Sequence, residues 1–149
     1  MIGVSIFQAR WGKRIGPSAI YAHGETKMLR VLIVEDIQVH REIIKTELHS
    51  RFPSLVIEEA STGEEALKKI NVFLPQLIFM DIGLPDANGL QLTQKIKADF
   101  PDIRIAIITV YDLPEYRQAA IQYGADRFFV KDSLKWNEIA AFVKSIPES

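Results

Sequence analysis

Phe79-Met80-Asp81-Ile82-Gly83-Leu84-Pro85-Asp86-Ala87-Asn88-Gly89-Leu90 is the stretch that decides the fold. An apolar run, Leu77 to Met80, delivers one carboxylate, Asp81, and then breaks at once into a loop rich in Gly, Pro and Asn. Successive apolar residues without alternation suit a strand buried on both faces of a parallel sheet. In open sheets of that kind the chemistry gathers beyond the carboxyl ends of the strands. Asp81 stands at such an end.

Working outward, the same unit recurs. Leu29 to Val34 is a β-rich run ending at Glu35-Asp36, and Val39, Ile43, Ile44 and Leu48 then recur at helical spacing until Phe52-Pro53. Leu55 to Glu59 reads as the second strand. Thr62-Gly63-Glu64-Glu65 has capping-box spacing and opens a helix with Ala66, Leu67 and Ile70 that ends before Pro75. After the Asp81 loop, Leu90, Leu92, Ile96 and Phe100 give a third helix. Arg104 to Thr109 is the fourth strand, and a helix from about Pro114 ends at Gly124. Asp126 to Val130 is the fifth strand, ending at Lys131. Ser133 is placed to cap the last helix, whose inward face uses Leu134, Ile139, Phe142, Val143 and Ile146.

Strict β/α alternation predicts a parallel sheet covered by helices on both faces. Right-handed crossovers leave few topologies, of which a doubly wound five-stranded sheet in the flavodoxin-like order 2-1-3-4-5 is the natural one. The predicted organisation is a core over residues 29–146, a tail at 147–149 and an extension at 1–28. The extension has four basic residues against Glu25, a net +3, so that a total of −1 leaves −4 for the rest. It lacks a sustained period and reads as a poorly ordered arm, or as sequence upstream of an initiator at Met28. The net charge implies no general affinity for nucleic acid or anionic membrane. No run approaches the length of a membrane span, and the absence of cysteine excludes disulfide and thiolate chemistry.

Four strands end in chemically useful groups: Glu35-Asp36, Asp81, Thr109 and Lys131. Taken singly, each has an ordinary reading, as a helix cap, a turn former, a strand residue or a solvated charge. At four strand ends on one sheet edge, a shared site is the better explanation. Three carboxylates at one place repel unless a cation compensates them. A hard divalent ion, Mg²⁺ or Mn²⁺, does so with oxygen ligands. Carboxylates, metal, ammonium and hydroxyl suit phosphoryl transfer to a carboxylate, with Asp81 as nucleophile, Glu35 and Asp36 on the metal, and Lys131 and Thr109 on phosphoryl oxygens. His23, His40 and His49 show no ligand spacing and read as surface residues. Asp86 reads as a loop carboxylate, and Glu58-Glu59 as partly exposed.

At these residues the sequence resembles the receiver domain of two-component response regulators, a CheY-like domain, over residues 29–146. The pieces are Val31 to Asp36, Met80 to Leu90, Ile107-Ile108-Thr109 and Gly124 to Ser133, with separations of 45, 28 and 22 between Asp36, Asp81, Thr109 and Lys131. The resemblance implies a phosphoacceptor at Asp81, supplied by a histidine kinase or phosphotransfer protein. It implies a metal held by Asp36, Asp81 and the backbone carbonyl of Gly83, with Glu35 acting through water. It further implies a switch through Thr109 and Phe128 that reshapes a surface read by an effector protein or output domain. Homodimerisation on phosphorylation and a cytoplasmic setting of bacterial or archaeal type come with the resemblance, as does no catalysis beyond the domain's own phosphorylation and dephosphorylation.

Lys131-Asp132-Ser133 is closest to receivers of NarL/LuxR-type regulators, which continue into a DNA-binding domain; none is expected within this chain. Phe128 replaces the usual tyrosine, and Val110 stands where a smaller residue is usual and is expected to crowd Asp81. The competing reading is a pseudo-receiver acting as a phosphorylation-independent interaction module. A flavodoxin-like FMN binder is disfavoured by Glu35-Asp36. A metal-dependent phosphatase is disfavoured by Gly83, where a second acidic residue is usual.

Overall fold

The computed structural model describes residues 27–148. The expectations for residues 1–26, including His23, lie outside the described residues. Five strands form one parallel sheet in the order β2-β1-β3-β4-β5. They are β1 (Arg30–Val34), β2 (Val56–Ala60), β3 (Leu77–Met80), β4 (Arg104–Thr109) and β5 (Arg127–Val130). The helices between and after them are α1 (Gln38–Arg51), α2 (Gly63–Phe73), α3 (Gly89–Asp99), α4 (Pro114–Gln122) and α5 (Trp136–Ser145). The order and the alternation agree with the sequence reading.

Strand parity divides the core into two layers. Val31, Ile33, Leu77, Phe79, Ala106 and Ile108 face α1 and α5. Leu32, Val34, Ile78, Met80, Ile105 and Ile107 face the other way, against α2, α3 and α4. All four residues of β3 are fully buried, which is why that strand carries no polar position before Asp81.

Two local details differ from the sequence reading. In α1 only Ile44 and Leu48 are buried, while Val39 and Ile43 are 64% and 49% exposed. The inward stripe therefore runs through 40, 44 and 48 at spacing four, and its N-terminal member is His40. Ser133 does not cap the last helix. It belongs to a short 3₁₀ turn, Lys131–Ser133, and α5 begins three residues later with Lys135 at its N-cap and no side-chain bond there. The turn occupies the residues that a capping serine would need to place beside the first helical amides.

Helix α2 starts as its sequence suggests, with the Thr62 side chain accepting from the Glu65 amide at 3.0 Å. Glu65 reaches back to the Ser61 amide at 2.8 Å, one residue before the cap. A second cap comes from far along the chain. Asp86 accepts from the amides of Gly63 (2.8 Å) and Glu64 (3.0 Å), tying the loop after β3 to the start of α2.

Candidate functional site

The sheet register brings four strand ends to one edge. Val34 pairs with Met80, and Thr109 with Val130, so Glu35, Asp81 and Lys131 each follow immediately beyond a pair or end there. The backbone continues the ladder for one more residue. The Asp81 amide donates to Val34 O at 3.0 Å, and the Glu35 amide to Ala60 O at 3.0 Å.

Glu35, Asp36 and Asp81 each offer a carboxylate oxygen within 4.8 Å of the others. Glu35 is fully buried, Asp81 nearly so, and Asp36 is exposed. Asp36 does not cap α1: the N-cap is Ile37, without a side-chain bond, and Glu35 Oε2 accepts from the Ile37 amide at 3.0 Å. Asp36 is thus left to the cluster. Asp81 Oδ1 accepts from the Ile82 amide at 2.8 Å. Lys131 Nζ lies between the carboxylates, donating to Glu35 Oε1 and, at 3.2 Å, to Asp81 Oδ2. Burial pushes the Glu35 carboxyl above its ordinary value, against the lowering effect of the hydrogen bond from Lys131.

Thr109 is fully buried, and its hydroxyl accepts from the Tyr111 amide at 3.3 Å. Gly83 forms an isolated antiparallel bridge with Asn88, and a Cβ built on it would lie 3.7 Å from the Tyr111 ring. Gly89 donates to Ile82 O at 2.8 Å, closing the loop behind Asp81. Asn88 caps α3, accepting from the Leu90 amide at 2.8 Å and more weakly from Gln91 at 3.3 Å. Phe128 is partly buried against the α2–α4 layer, with the Arg117 guanidinium 4.8 Å from its ring centroid.

The expected set is thus assembled: Glu35, Asp36, Asp81 and Lys131 meet, Thr109 ends the adjoining strand, and Gly83 follows in the loop. The structure adds two residues that the sequence reading passed over. His40, read as a surface residue, places Nδ1 at 3.0 Å from Lys131 Nζ and 3.5 Å from Glu35 Oε1. The signal for it was the 40/44/48 stripe, masked by Val39 and Ile43 beside it. Arg41 ties the backbone after β1, donating to Glu35 O at 2.8 Å and Asp36 O at 3.3 Å, while its Nε bonds Glu59 at 3.0 Å. A cavity of about 190 Å³ adjoins Lys131, lined by His40, Ile43, Ile108, Val110 and Leu134 among others. Val110, one of these lining residues, is half exposed.

Residues 31–144 match the response regulator receiver domain family. The DNA-binding transcriptional activator DevR/DosR of Mycobacterium tuberculosis is 34% identical over 120 residues, covering 80% of this chain and 54% of that protein. A protein-glutamate methylesterase/protein-glutamine glutaminase of Syntrophus aciditrophicus is 36% identical over 109 residues, covering 72% of this chain and 31% of its own. Among solved structures, the response regulator TrrA of Thermotoga maritima, in complex with Mg²⁺-BeF, is 34% identical with a TM-score of 0.69, covering 78% of this chain and 97% of its own. The chain spans about half the length of the first curated relatives it matches. Among the described residues, no helix is long and apolar enough to cross a membrane.

Proposed function

The chain belongs to the response regulator receiver domain family, and from that premise we propose that Asp81 is its phosphoacceptor. The domain is a receiver of two-component signalling. The observation that carries the Asp81 assignment is the cluster itself: three carboxylates within 4.8 Å, one of them fully buried, with a single ammonium spanning Glu35 and Asp81.

That donor set fits a hard divalent cation. Oxygen ligands outnumber the one compensating charge, and the exposed Asp36 leaves an open side for water. Asp36, Asp81 and the Gly83 carbonyl would hold Mg²⁺, with Glu35 acting through water and Mn²⁺ as a substitute. When bound, the cation neutralises charge on the transferring phosphoryl group. The chain's own residues do the rest. An Asp81 carboxylate oxygen attacks the phosphorus of a phosphohistidine on a kinase or phosphotransfer protein. A P–O bond forms, the P–N bond breaks, and the imidazole leaves. Lys131 pairs with one phosphoryl oxygen, and the Thr109 hydroxyl turns to donate to another.

Thr109 and Phe128 then act as the switch, altering the α4–β5–α5 surface for an effector protein or a linked output domain. The relatives include a DNA-binding activator and a methylesterase. An output of either kind lies outside residues 29–146, the extent we assign to the receiver.

Incubation with acetyl phosphate and Mg²⁺, read by intact mass, tests the assignment. A single adduct of about 80 Da that disappears in Asp81→Ala is expected. Failure of every small donor with every divalent metal would favour the phosphorylation-independent interaction module instead.

A further inference from the structure

Lys131 presents three N–H donors and no acceptor. Two of them go to Glu35 and Asp81, and the third contact is His40 Nδ1 at 3.0 Å. Since the ammonium cannot accept, Nδ1 must be the acceptor, and the 3.5 Å approach of the same nitrogen to Glu35 is proximity without a hydrogen bond. The Lys131 side chain is only 10% exposed, and the cavity beside it is otherwise walled by Ile43, Ile44, Ile108, Val110 and Leu134, with Asp132 its remaining charged lining residue.

We infer that His40 is a positioning residue that fixes the Lys131 ammonium between Glu35 and Asp81. This rests on the reading of Asp81 as phosphoacceptor. A lysine head on a four-carbon stem is mobile unless its donors are held. A third carboxylate partner would hold it, but would add negative charge to a cluster that already has three. An apolar residue would turn the third N–H toward an oily wall or leave it to cavity water. A neutral imidazole orients the cation while leaving its charge for the incoming phosphoryl oxygens. The position suits the task. His40 ends the buried stripe of Ile44 and Leu48, so its place at the sheet edge is set by the packing of α1.

Two variants and two readouts test this. His40→Leu removes the acceptor at similar size. His40→Asn returns an oxygen to the position of Nδ1. In metal-free protein, the two Lys131 Hε protons are expected to be inequivalent by NMR in the wild type, to merge in His40→Leu and to separate again in His40→Asn. With phosphoramidate as donor, the maximal rate of adduct formation is expected to fall roughly three- to tenfold in His40→Leu, the scale of one hydrogen bond. The half-saturating donor concentration should be unchanged, and His40→Asn should recover most of the rate. Lys131 protons that stay inequivalent in His40→Leu would overturn the inference, as would a His40→Asn variant no better than His40→Leu. A wild-type chain that forms no adduct would overturn the phosphoacceptor reading, and the metal-free NMR comparison would still decide the role of His40.

Discussion

Replacing Gly89 by alanine would put a Cβ 1.9 Å from the Asp81 carbonyl oxygen, 2.8 Å from the Asp81 carbonyl carbon and 2.9 Å from Ile82 Cα. All three are backbone atoms, so no side chain can turn away to make room. Bringing the closest contact to 3.0 Å requires a shift of about 1.1 Å, the difference between the two distances. That movement pulls the Gly89 amide from Ile82 O, now 2.8 Å away, and displaces the backbone that aims the Asp81 carboxylate. The lost hydrogen bond is worth about 1 kcal/mol, and overpacking adds about 1–3 kcal/mol. The helix preference of alanine over glycine offsets less than about 1 kcal/mol at this first helical position. A net loss of about 2–3 kcal/mol is expected, or roughly 1–2 M in urea midpoint. Gly83→Ala is the internal control, because its Cβ would meet nothing nearer than the Tyr111 ring at 3.7 Å. It should change stability by less than about 0.5 kcal/mol, as ordinary surface substitutions do. Urea unfolding of the two variants, paired with the mass assay for the Asp81 adduct, decides the matter. A Gly89→Ala protein within 0.5 kcal/mol of wild type would refute the idea that the Asp81 loop is clamped by backbone contact.

Asp86 is held below the usual carboxylate range by the Gly63 amide and then by that of Glu64. Its ionised form therefore contributes stability above its ordinary pKa, lost as pH falls through the folded value. Asp86→Ala should have a lower urea midpoint than wild type at pH 7, and the gap should begin to close only as pH falls below about 4; a constant gap down to pH 2 would contradict the cap. Mg²⁺ at a hundredfold excess over its Kd should stabilise the fold by about 2.7 kcal/mol, a response that Asp36→Ala removes in thermal unfolding. That response should weaken on acidification, because burial pushes Glu35 upward and its protonated form ceases to attract the cation.

The fold was legible because the strands are short, because β1, β3 and β4 are dominated by buried apolar residues, and because β3 carries no polar residue to obscure its burial. The acidic cluster and Lys131 were legible for a related reason: in a parallel sheet, the residue after each strand points to the same edge. Side chains that enter the site from a helix were harder. Position 40 joins a stripe with 44 and 48, yet Val39 and Ile43 offered a competing apolar pair, and hydrophobicity alone cannot tell which stripe faces the sheet. Asp86 as the second cap of α2 was out of reach, since capping patterns are local and this one spans 23 residues. Ser133 failed as a cap because the 3₁₀ turn after β5 is not signalled by the residues that form it.

The contacts around Asp81 are of two strengths, and on the proposed reading the weaker side is where the domain would respond. The loop from Asp81 to Gly89 is closed by backbone bonds, bridged at Gly83 and Asn88, and tied to α2 through Asp86. On the β4 side, the Thr109 hydroxyl accepts from the Tyr111 amide at 3.3 Å, and Val110, Tyr111 and Leu113 are all exposed. Phe128 is restrained by its packing in the α2–α4 layer and by Arg117, which also makes an exposed ion pair with Asp112 at 2.9 Å. Such pairs contribute about 1 kcal/mol or less each. A dianionic phosphoryl group on Asp81, as proposed, would add charge-assisted bonds of about 1.5–3 kcal/mol. Such bonds would exceed the polar restraints on Thr109 and Phe128, while the Asp81 loop keeps its backbone bonds. On the proposed reading of Asp81 as phosphoacceptor, the acceptor side would stay still and the β4–α4 side would answer it.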